Sequence, residues 1–580
     1  MIPLRPVVIL ASLAGIALGF VKQPSPGVLN LRLQQTFDGK AVEWGDVRYS
    51  AAGAMVGFTR NSLLLSGFQL QSDDGHSVSV DTVCYLNPQD GADTCRLEVP
   101  EGKNWKQLSF NVGVPPALNH SDPSKRGPND PLNPTVNAMH WGWQGGYIFS
   151  ATEGKWEQPG SRLSGFVYHV ANDPNLMRVT LPISAASGQS VVLSQDLAKV
   201  MRGVYLGKGD DQASTHSAKD DPLAKLLTQN IAHSFSFVRS EALNSQPATP
   251  KAMPLPTGTH AYEMEMPDGF PQPSLPLDNP LTVEGVRLGH RLFWDPILSR
   301  NRRAACINCH RSEFAYSDGG HPVSRGDDGT KGTRKAPPLF NLAWSKFYTW
   351  DGRRTRLRDQ ALAPIQDKHE MNLTLGEVVQ RLNELRTYRE EFKEAFGSPG
   401  ITAERVSLAL EQFLLTRVSG DSKFDQARRD QATLSDLEKE GLVLFITEFD
   451  PARGKRGADC FHCHGGNLFS DYAFHDNGLR PTKDEGRARA TGRQTDIGKF
   501  KTPSLRNLAL SGPYMHDGRF KTLQEVIDHY SEHISQNANL DPNIAKHPVE
   551  GIRLSPHQKK ALIAFLNTLN EPDFEFKDTQ

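Results

Sequence analysis

Two short motifs constrain this chain more than any other feature of its sequence. Residues 306–310 read Cys-Ile-Asn-Cys-His and residues 460–464 read Cys-Phe-His-Cys-His, so the pattern Cys-x-x-Cys-His occurs twice. In this pattern the two thiols bind the vinyl groups of one haem, and the histidine that follows binds the iron. A single copy can instead be a zinc or redox motif, but two copies favour covalent haem c. The predicted attachment residues are Cys306, Cys309, His310, Cys460, Cys463 and His464.

The length and charge of the chain narrow its class further. With 580 residues it is too long for one hydrophobic core, so several domains are expected. The formal net charge is -1, which gives no indication of a nucleic-acid partner.

An apolar run at residues 7–20 follows Arg5 near the start of the chain. It is shorter than the roughly 20 residues of a membrane span, and it fits the apolar region of a secretory signal. The residues after it do not form a small-residue cleavage site, so an uncleaved anchor is the alternative for residues 1–22. Because haem c is attached outside the cytoplasm, the predicted location is the periplasm.

Residues 28–245 are predicted to form a β-sandwich domain. Leu29, Leu31 and Leu33 alternate with polar residues, and Gly and Asp turn signals separate further apolar strand candidates. Residues 218–239 differ, because their apolar side chains have helical spacing.

The two cysteines outside the haem motifs, Cys84 and Cys95, flank a turn-rich stretch. In an oxidising compartment this spacing favours a hairpin disulfide. Copper–thiolate ligation is the alternative.

A proline-rich segment separates the β domain from a helical half. Nine prolines between Pro247 and Pro280 predict a semi-extended linker over residues 246–276. Helical spacing dominates from about residue 283, and one predicted helix covers residues 374–396, with Thr374 and Glu377 as a capping box. The two haem motifs then predict two mainly α-helical c-type cytochrome domains, one at 277–425 and one at 426–580.

Residues 277–575 resemble the di-haem cytochrome c peroxidase and MauG family. Four segments carry the resemblance, in the order found in that family: residues 288–299, 348–353, 360–370 and 513–518. The resemblance implies an enzyme that uses hydrogen peroxide and two haems.

That resemblance implies roles for several residues around the first haem. Gln360, Pro364 and Glu370 match the pocket where peroxide binds, with Glu370 as the acid–base group that moves the peroxide proton. From the residues alone, Glu370 reads as a solvated carboxylate near a helix start. Trp350 matches the tryptophan between the two haems. His321 is a candidate cap for the first haem, although its loop is more like that of the open-site members.

The sixth ligand of the second haem separates the subclasses of the family. Tyr530 aligns with the axial position, where MauG-like enzymes have tyrosine and cytochrome-fed peroxidases have methionine. Met515, beside His516, is the alternative because His/Met ligation is common in cytochromes.

The family also has a calcium site between its haems. Ser511 and Pro513 match the carbonyl donors of that site, but Lys335 stands at the position of its asparagine. A lysine side chain cannot bind Ca²⁺, so calcium is an open expectation.

Residues 28–240 resemble MbnP-like proteins, which are exported copper-binding β proteins usually encoded beside a MauG-like partner, MbnH. Segments 113–123, 139–149 and 166–169 carry this resemblance, although only two cysteines of a four-cysteine signature are present. Because imidazoles bind copper well, His120 and His169 are candidate copper ligands, with His140 and His216 weaker ones. The MbnH partner oxidises a tryptophan to kynurenine, and the candidates here are Trp141 and Trp143.

Three functions are compatible with these residues. The first is a MauG-like enzyme that oxidises a tryptophan in its own or a neighbouring N-terminal domain. The second is a conventional peroxidase that receives electrons from a small cytochrome or cupredoxin. The third is a non-enzymatic copper-binding or electron-transfer protein.

Overall fold

The computed structural model describes residues 26–142, 145–207, 212–243, 251–326, 328–480, 482–571 and 574. A β domain comes first and a helical half follows, which confirms the predicted order of the two. Among the described residues, no helix has the length and apolar character needed to span a membrane. The predicted leader at residues 1–22 lies outside the described residues.

The β domain is built from strands of very different lengths. They are β1 (Pro26–Phe37), β2 (Lys40–Ala41), β3 (Tyr49–Ala51), β4 (Ala54–Ser72), β5 (Ser77–Val80), β6 (Cys84–Leu86), β7 (Thr94–Pro100), β8 (Asn104–Val112), β9 (Ile148–Glu157), β10 (Ser164–Ala171), β11 (Met177–Ala186), β12 (Gln189–Asp196), β13 (Ser214–Thr215) and β14 (Phe235–Ala242). The helices of the same domain are α1 (Pro116–Asn119), α2 (Pro134–Asn137), α3 (Leu197–Val200) and α4 (Pro222–Ala232).

Two sheets share one hydrophobic core in this domain. The first sheet has the order β14-β12-β1-β2, with β7 also paired to β1, and the second has the order β11-β8-β4-β9-β10-β13, with β3, β5 and β6 paired to β4. Leu29, Leu31 and Leu33 on β1 are buried in that core, as their alternation predicts. The domain is therefore a β-sandwich.

Cys84 and Cys95 form a disulfide with Cα atoms 5.7 Å apart. The prediction that it closes a hairpin is wrong, because Cys84 lies on β6 in one sheet and Cys95 lies on β7 in the other. The bond therefore ties the two sheets together.

The helix predicted at residues 218–239 is wrong in its second half. Helix α4 starts after Asp221, whose carboxylate accepts a 2.9 Å hydrogen bond from the N–H of Leu223, and it ends before His233. The chain then forms β14, which pairs with β12 and in which Phe235 is buried and Phe237 half-buried, while Ser236 and Val238 are exposed. Sheet pairing outweighs the helical spacing there.

The proline-rich segment has no regular helix or strand over its described residues 251–276. It is nevertheless held against the helical half. Phe270 is buried against the ring of Trp344, and the indole N–H of Trp344 donates a 2.6 Å hydrogen bond to the carbonyl of Pro271.

The helical half contains twelve α-helices within its described residues. They are α5 (Val283–Trp294), α6 (Cys306–Cys309), α7 (Leu357–Gln366), α8 (Leu375–Glu384), α9 (Arg386–Phe396), α10 (Ala403–Leu415), α11 (Lys423–Arg428), α12 (Asp436–Ile446), α13 (Ala488–Thr491), α14 (Leu523–Glu532), α15 (Pro542–Ala545) and α16 (Pro556–Asn567). Two small strand pairs accompany them, β15 (Phe449–Asp450) with β16 (Lys455–Arg456) and β17 (Phe474–His475) with β18 (Phe500–Lys501).

The single helix predicted at residues 374–396 is two helices, α8 and α9. The capping box of Thr374 and Glu377 at its start is confirmed. The break occurs at Leu385, which has an extended backbone with φ -93° and ψ 117°.

The two cytochrome units repeat the same helix crossing. In the first unit, α5 crosses α10 so closely that a Cβ added at Gly289 would lie 2.0 Å from the carbonyl oxygen of Ala409. In the second unit, α12 crosses α16, and a Cβ at Gly441 would lie 2.0 Å from the carbonyl oxygen of Ala561. Each haem motif follows the first helix of its pair, so the units are equivalent.

The β domain docks on the second cytochrome unit. Every residue of β10 is buried, because one face lies in the sandwich core and the other is covered by the helical half. A Cβ added at Gly165 would lie 1.9 Å from the carbonyl oxygen of Pro542, and Lys155 donates a hydrogen bond to the carbonyl of Ala538. This contact brings the N-terminal domain to the second haem motif.

Candidate functional site

The first haem motif forms α6, and His310 lies just beyond its end. Nδ1 of His310 is 2.8 Å from the carbonyl oxygen of Tyr316, which leaves Nε2 available for iron. Burial lowers the pKa of His310 to about 4, so the ring is neutral, as an iron ligand must be.

The residues expected on the peroxide side of this haem lie on and just after α7. Gln360 and Pro364 belong to the helix, and Glu370 lies in the turn that follows. The N–H of Met371 donates a 3.1 Å hydrogen bond to the carbonyl of Pro364, which holds this turn against the end of the helix.

Glu370 is half-buried and does not have the solvated environment that its sequence position alone suggests. Burial raises the pKa of its carboxyl to about 7, and the nearby charge of Asp367 adds to this shift. The charge of Glu370 also acts on the thiols of Cys306 and Cys309, so the carboxyl lies close to the first haem motif. A carboxyl with this pKa can both accept and donate a proton at neutral pH.

Trp350 connects the surroundings of the two haem motifs. Its indole N–H donates a 2.9 Å hydrogen bond to the carbonyl of Lys335, and its own carbonyl accepts one of 2.8 Å from the N–H of Lys501. The same side chain lines the cavity beside the second motif. This position fits a tryptophan between two haems.

The second haem motif borders a cavity of about 230 Å³. Nδ1 of His464 lies 3.1 Å from the carbonyl oxygen of Phe469, so Nε2 is again the nitrogen left for iron. The cavity is lined by Cys460, Cys463, His464 and a mainly apolar shell that includes Leu479, Ile527 and Leu562. Its two thiols and its apolar walls fit a covalently attached haem c.

Both candidates for the sixth ligand of this haem, Tyr530 and Met515, line the same cavity. The side-chain amide of Asn477 lies between them and donates a 3.1 Å hydrogen bond to the hydroxyl of Tyr530. It is 3.8 Å from the sulfur of Met515. Burial raises the pKa of Tyr530 to about 12, so the free phenol is protonated at neutral pH. Beside them, the ring of His516 stacks on Phe500 at 3.7 Å.

His321 and Lys335 lie where a loop of the first unit meets the loop around Gly512. Nδ1 of His321 lies 3.2 Å from the carbonyl oxygen of Asp318, in its own loop. The buried Nζ of Lys335 donates a 3.3 Å hydrogen bond to the carbonyl of Gly512, between Ser511 and Pro513. A lysine cation therefore lies at the loop where the family resemblance implies calcium.

The predicted copper ligands of the β domain are not all brought together. One ring nitrogen from each of His169, His216 and His462 lies within 4.8 Å of the others. His120 instead lies 2.9 Å from the carboxylate of Asp173 and is mostly exposed. His140 packs edge-on against Tyr147.

Trp141 lies beside this histidine cluster. Its side chain is buried, and its ring centroid is 5.9 Å from that of His216 and 6.4 Å from that of His169. The centroid of His216 is in turn 4.8 Å from that of His462, inside the second haem motif. Trp143 lies outside the described residues.

Comparisons with known proteins show which families the two halves of the chain resemble. Residues 283–433 match the family model described as di-haem cytochrome c peroxidase, and residues 26–217 match the MbnP family model. Methylamine utilization protein MauG of Methylophilus methylotrophus is 38% identical over 311 residues, which cover 53% of this chain and 88% of that protein.

The chain belongs to the di-haem cytochrome c peroxidase family. Cytochrome c551 peroxidase of Pseudomonas aeruginosa is 32% identical over 310 residues, covering 51% of this chain and 82% of that protein. A solved MauG-like protein associated with microbial copper homeostasis is 34% identical, with a TM-score of 0.49, and covers 54% of this chain and 97% of its own.

This di-haem peroxidase-like oxidoreductase carries an MbnP domain. The contact between the MbnP domain and the second cytochrome unit contains residues that the sequence did not single out. His462 and Phe461 occupy the variable positions of the second haem motif, where the pattern imposes no residue type. Asn477, which lies within the second cytochrome unit, was not singled out either. His462 and Phe461 become candidates only because the fold brings them to His216, and Asn477 because it lies beside Tyr530.

Proposed function

We propose that this enzyme uses hydrogen peroxide to oxidise Trp141 of its own MbnP domain to kynurenine. The observation that carries the proposal is the short series of rings between Trp141 and the second haem motif. From Trp141 the centroids run 5.9 Å to His216 and then 4.8 Å to His462. No long-range docking step is needed, because the fused domain already presents the tryptophan at high effective concentration.

The proposed reaction balances with peroxide as the oxidant. Two molecules of hydrogen peroxide are reduced to water, and two oxygen atoms are added across the C2–C3 double bond of the Trp141 indole, which breaks. Hydrolysis of the resulting N-formyl group then releases formate and leaves kynurenine. The electrons therefore leave the indole ring and end on peroxide oxygen.

The residues around the first haem perform the proton transfer in this scheme. Bound haem c supplies iron that reacts with peroxide and holds its oxidising equivalents. The Glu370 carboxylate accepts the proton from one peroxide oxygen and returns it to the other, so that water leaves. Gln360 orients the peroxide. Trp350, which lines the second cavity and bonds to Lys335, passes electrons between the two halves of the site.

Replacing Trp141 with phenylalanine tests the assignment of the electron donor. In Trp141→Phe protein, peroxide should still react, but the oxidised state of the protein should persist several-fold longer because its nearby donor is absent. Stopped-flow absorbance measures this lifetime. The matched control is Trp156→Phe, since Trp156 is equally buried in the same domain. Equal lifetimes in the two variants would exclude Trp141 as the donor.

We also propose that the enzyme works in the periplasm, after export directed by the apolar run at residues 7–20. Covalent haem c attachment and the Cys84–Cys95 disulfide both suit an oxidising compartment. Once oxidised, Trp141 lies beside His169 and His216, where kynurenine would contribute to copper binding.

We further propose that the ammonium group of Lys335 replaces an inter-haem calcium ion. Burial lowers the pKa of Lys335 to about 8, yet the group stays mostly charged at neutral pH and bonds to the Gly512 carbonyl. A calcium chelator should therefore leave the rate of reaction with peroxide unchanged. Lys335→Met should slow electron transfer between the haems, while Lys331→Met, at an exposed position in the same loop, should not. Loss of activity in chelator, restored by calcium, would contradict this proposal.

A further inference from the structure

We infer that Lys501 and His516 bind the propionate carboxylates of the second haem and raise the reduction potential of that haem. Both side chains line the cavity of about 230 Å³ beside the second haem motif. Haem c carries propionate carboxylates, and an anion that enters a largely apolar cavity needs a positive or hydrogen-bonding partner there. Lys501 and His516, with Phe500 between them, form one wall of the cavity that offers such partners.

Lys501 is the one lysine or arginine among the described residues that line this cavity. Its ammonium group has three N–H donors, and among the described residues it forms a single hydrogen bond, of 3.0 Å to the carbonyl of Phe347. The same group lies 5.6 Å from the ring centroid of Tyr472, within the range of a cation–π contact. Two of its donors are therefore available to an acceptor in the cavity.

The charge of Lys501 has no carboxylate partner among the described residues. Burial lowers the pKa of its ammonium group to about 8, and no neighbouring acidic group opposes this shift. Two other buried cations of the same unit are neutralised, since Arg506 lies 2.6 Å from Asp425 and Lys546 lies 3.2 Å from Glu448. A lysine charge at an apolar cavity is costly without an anion. The anion is therefore expected on the group that the cavity binds.

His516 provides a second donor on the same wall. Its Nε2 is buried and has no hydrogen-bond partner among the described residues. The ring stacks on Phe500, with centroids 3.7 Å apart and planes 12° apart, which fixes its orientation. Burial lowers the pKa of His516 to about 4, so the ring is neutral at pH 7 and has one N–H to donate. A buried nitrogen without a partner points to a missing ligand, and a carboxylate oxygen accepts such a hydrogen bond.

Backbone hydrogen bonds hold this wall against the first cytochrome unit. The N–H of Lys501 donates a 2.8 Å hydrogen bond to the carbonyl of Trp350, and the N–H of Lys335 donates one of 2.8 Å to the carbonyl of His516. The indole N–H of Trp350 donates to the carbonyl of Lys335 at 2.9 Å. Both donors are thus preorganised, so that binding a carboxylate requires little rearrangement.

A positive charge on this wall changes the redox chemistry of the second haem. Ferric haem carries one more positive charge than ferrous haem, so a nearby ammonium group disfavours the ferric state. Lys501 therefore raises the midpoint potential of the second haem and makes it a stronger acceptor of electrons. This effect does not depend on oxidation of Trp141, because it is a property of the resting protein.

Resonance Raman spectra of the full-length holoprotein test the contact, because the propionate bending bands report hydrogen bonds to those carboxylates. Lys501→Met removes the charge but keeps the length of the side chain. A propionate band should shift in this variant, and the midpoint potential of the second haem should fall in a spectroelectrochemical titration. His516→Phe keeps a ring that stacks on Phe500 but removes the N–H, so it should also shift a band, with a smaller change in potential.

The matched control is Lys521→Met, which removes an exposed lysine of the same unit and should leave both measurements unchanged. Lys501→Arg keeps the charge and should keep most of the potential. Haem content is measured for each variant. If Lys501→Met loses the second haem, Lys501→Gln takes its place, because glutamine keeps an N–H donor without the charge.

Two results would overturn the inference. The first is a set of propionate bands and a midpoint potential equal to those of wild-type protein in haem-replete Lys501→Met, or its substitute Lys501→Gln, and in His516→Phe. The second is a potential of the second haem that follows the concentration of added phosphate, which would place a solvent anion at Lys501. Neither result bears on whether peroxide oxidises Trp141.

Discussion

Replacing Glu370 with glutamine will slow the reaction with hydrogen peroxide by about 100- to 10,000-fold, the usual contribution of a positioned acid–base group. Glutamine keeps the size of the side chain but cannot move a proton. Both haems should remain attached, because Glu370 is not part of either attachment motif. Stopped-flow absorbance at increasing peroxide concentration measures the second-order rate constant.

The pH dependence of the same rate provides the control. Burial and the charge of Asp367 raise the pKa of Glu370 to about 7, and the carboxylate is the form that accepts the first proton. The rate should therefore fall as the pH drops through about 7, and this dependence should vanish in Glu370→Gln. Asp367→Asn removes a negative charge, so it should shift the midpoint to lower pH. An unchanged rate in Glu370→Gln would remove this residue from the mechanism.

Replacing Tyr530 with phenylalanine should alter the second haem much more than replacing Met515, the other candidate for its sixth ligand. If the phenolate is the sixth ligand, it stabilises the ferric state. Its loss should then change the spin state of that haem, raise its midpoint potential and shorten the life of the peroxide-oxidised protein. Electron paramagnetic resonance and a spectroelectrochemical titration measure the first two effects.

Met515→Leu is the matched variant, because Met515 lines the same cavity and lies near the same amide of Asn477. We expect it to leave the spin state of the second haem unchanged. The reverse pattern, with a large effect in Met515→Leu and none in Tyr530→Phe, would restore the His/Met assignment. It would favour the conventional peroxidase that removes peroxide with electrons from a small redox protein.

Much of the haem chemistry could be predicted from the sequence, because its residues are close together along the chain or carry a recognisable pattern. The attachment motifs, with His310 and His464, are local in sequence. Glu370 and Tyr530 came from resemblance, and the fold places each beside a haem motif. The capping box at Thr374 was also predictable, since its hydrogen bonds join residues three apart.

The contacts between domains could not be predicted in this way. His462 occupies a variable position of its motif, and only docking of the β domain brings it to His169 and His216. The same limit applies to His120, which matched the family pattern for a copper ligand. In the fold its ring hydrogen-bonds to Asp173. A histidine becomes a metal-ligand candidate through its neighbours in space, and one sequence does not reveal neighbours hundreds of residues away.

Local sequence patterns also gave wrong predictions where contacts between strands distant in sequence determined the structure. Phe235 fits the apolar face of a helix, yet it lies on β14 because β12 offers an unpaired edge. The spacing of Cys84 and Cys95 suggested a hairpin, but the two strands belong to different sheets. Both errors arise from partners that are distant in sequence.

Peptide mapping by mass spectrometry is the most direct test of which residue peroxide finally oxidises. Holoprotein is compared before and after treatment with several equivalents of peroxide, with Glu370→Gln protein treated in parallel. We predict that the peptide with Trp141 gains the mass difference between kynurenine and tryptophan in wild-type protein only. An unmodified Trp141 in peroxide-treated wild-type protein, with both haems present, would contradict the proposed function.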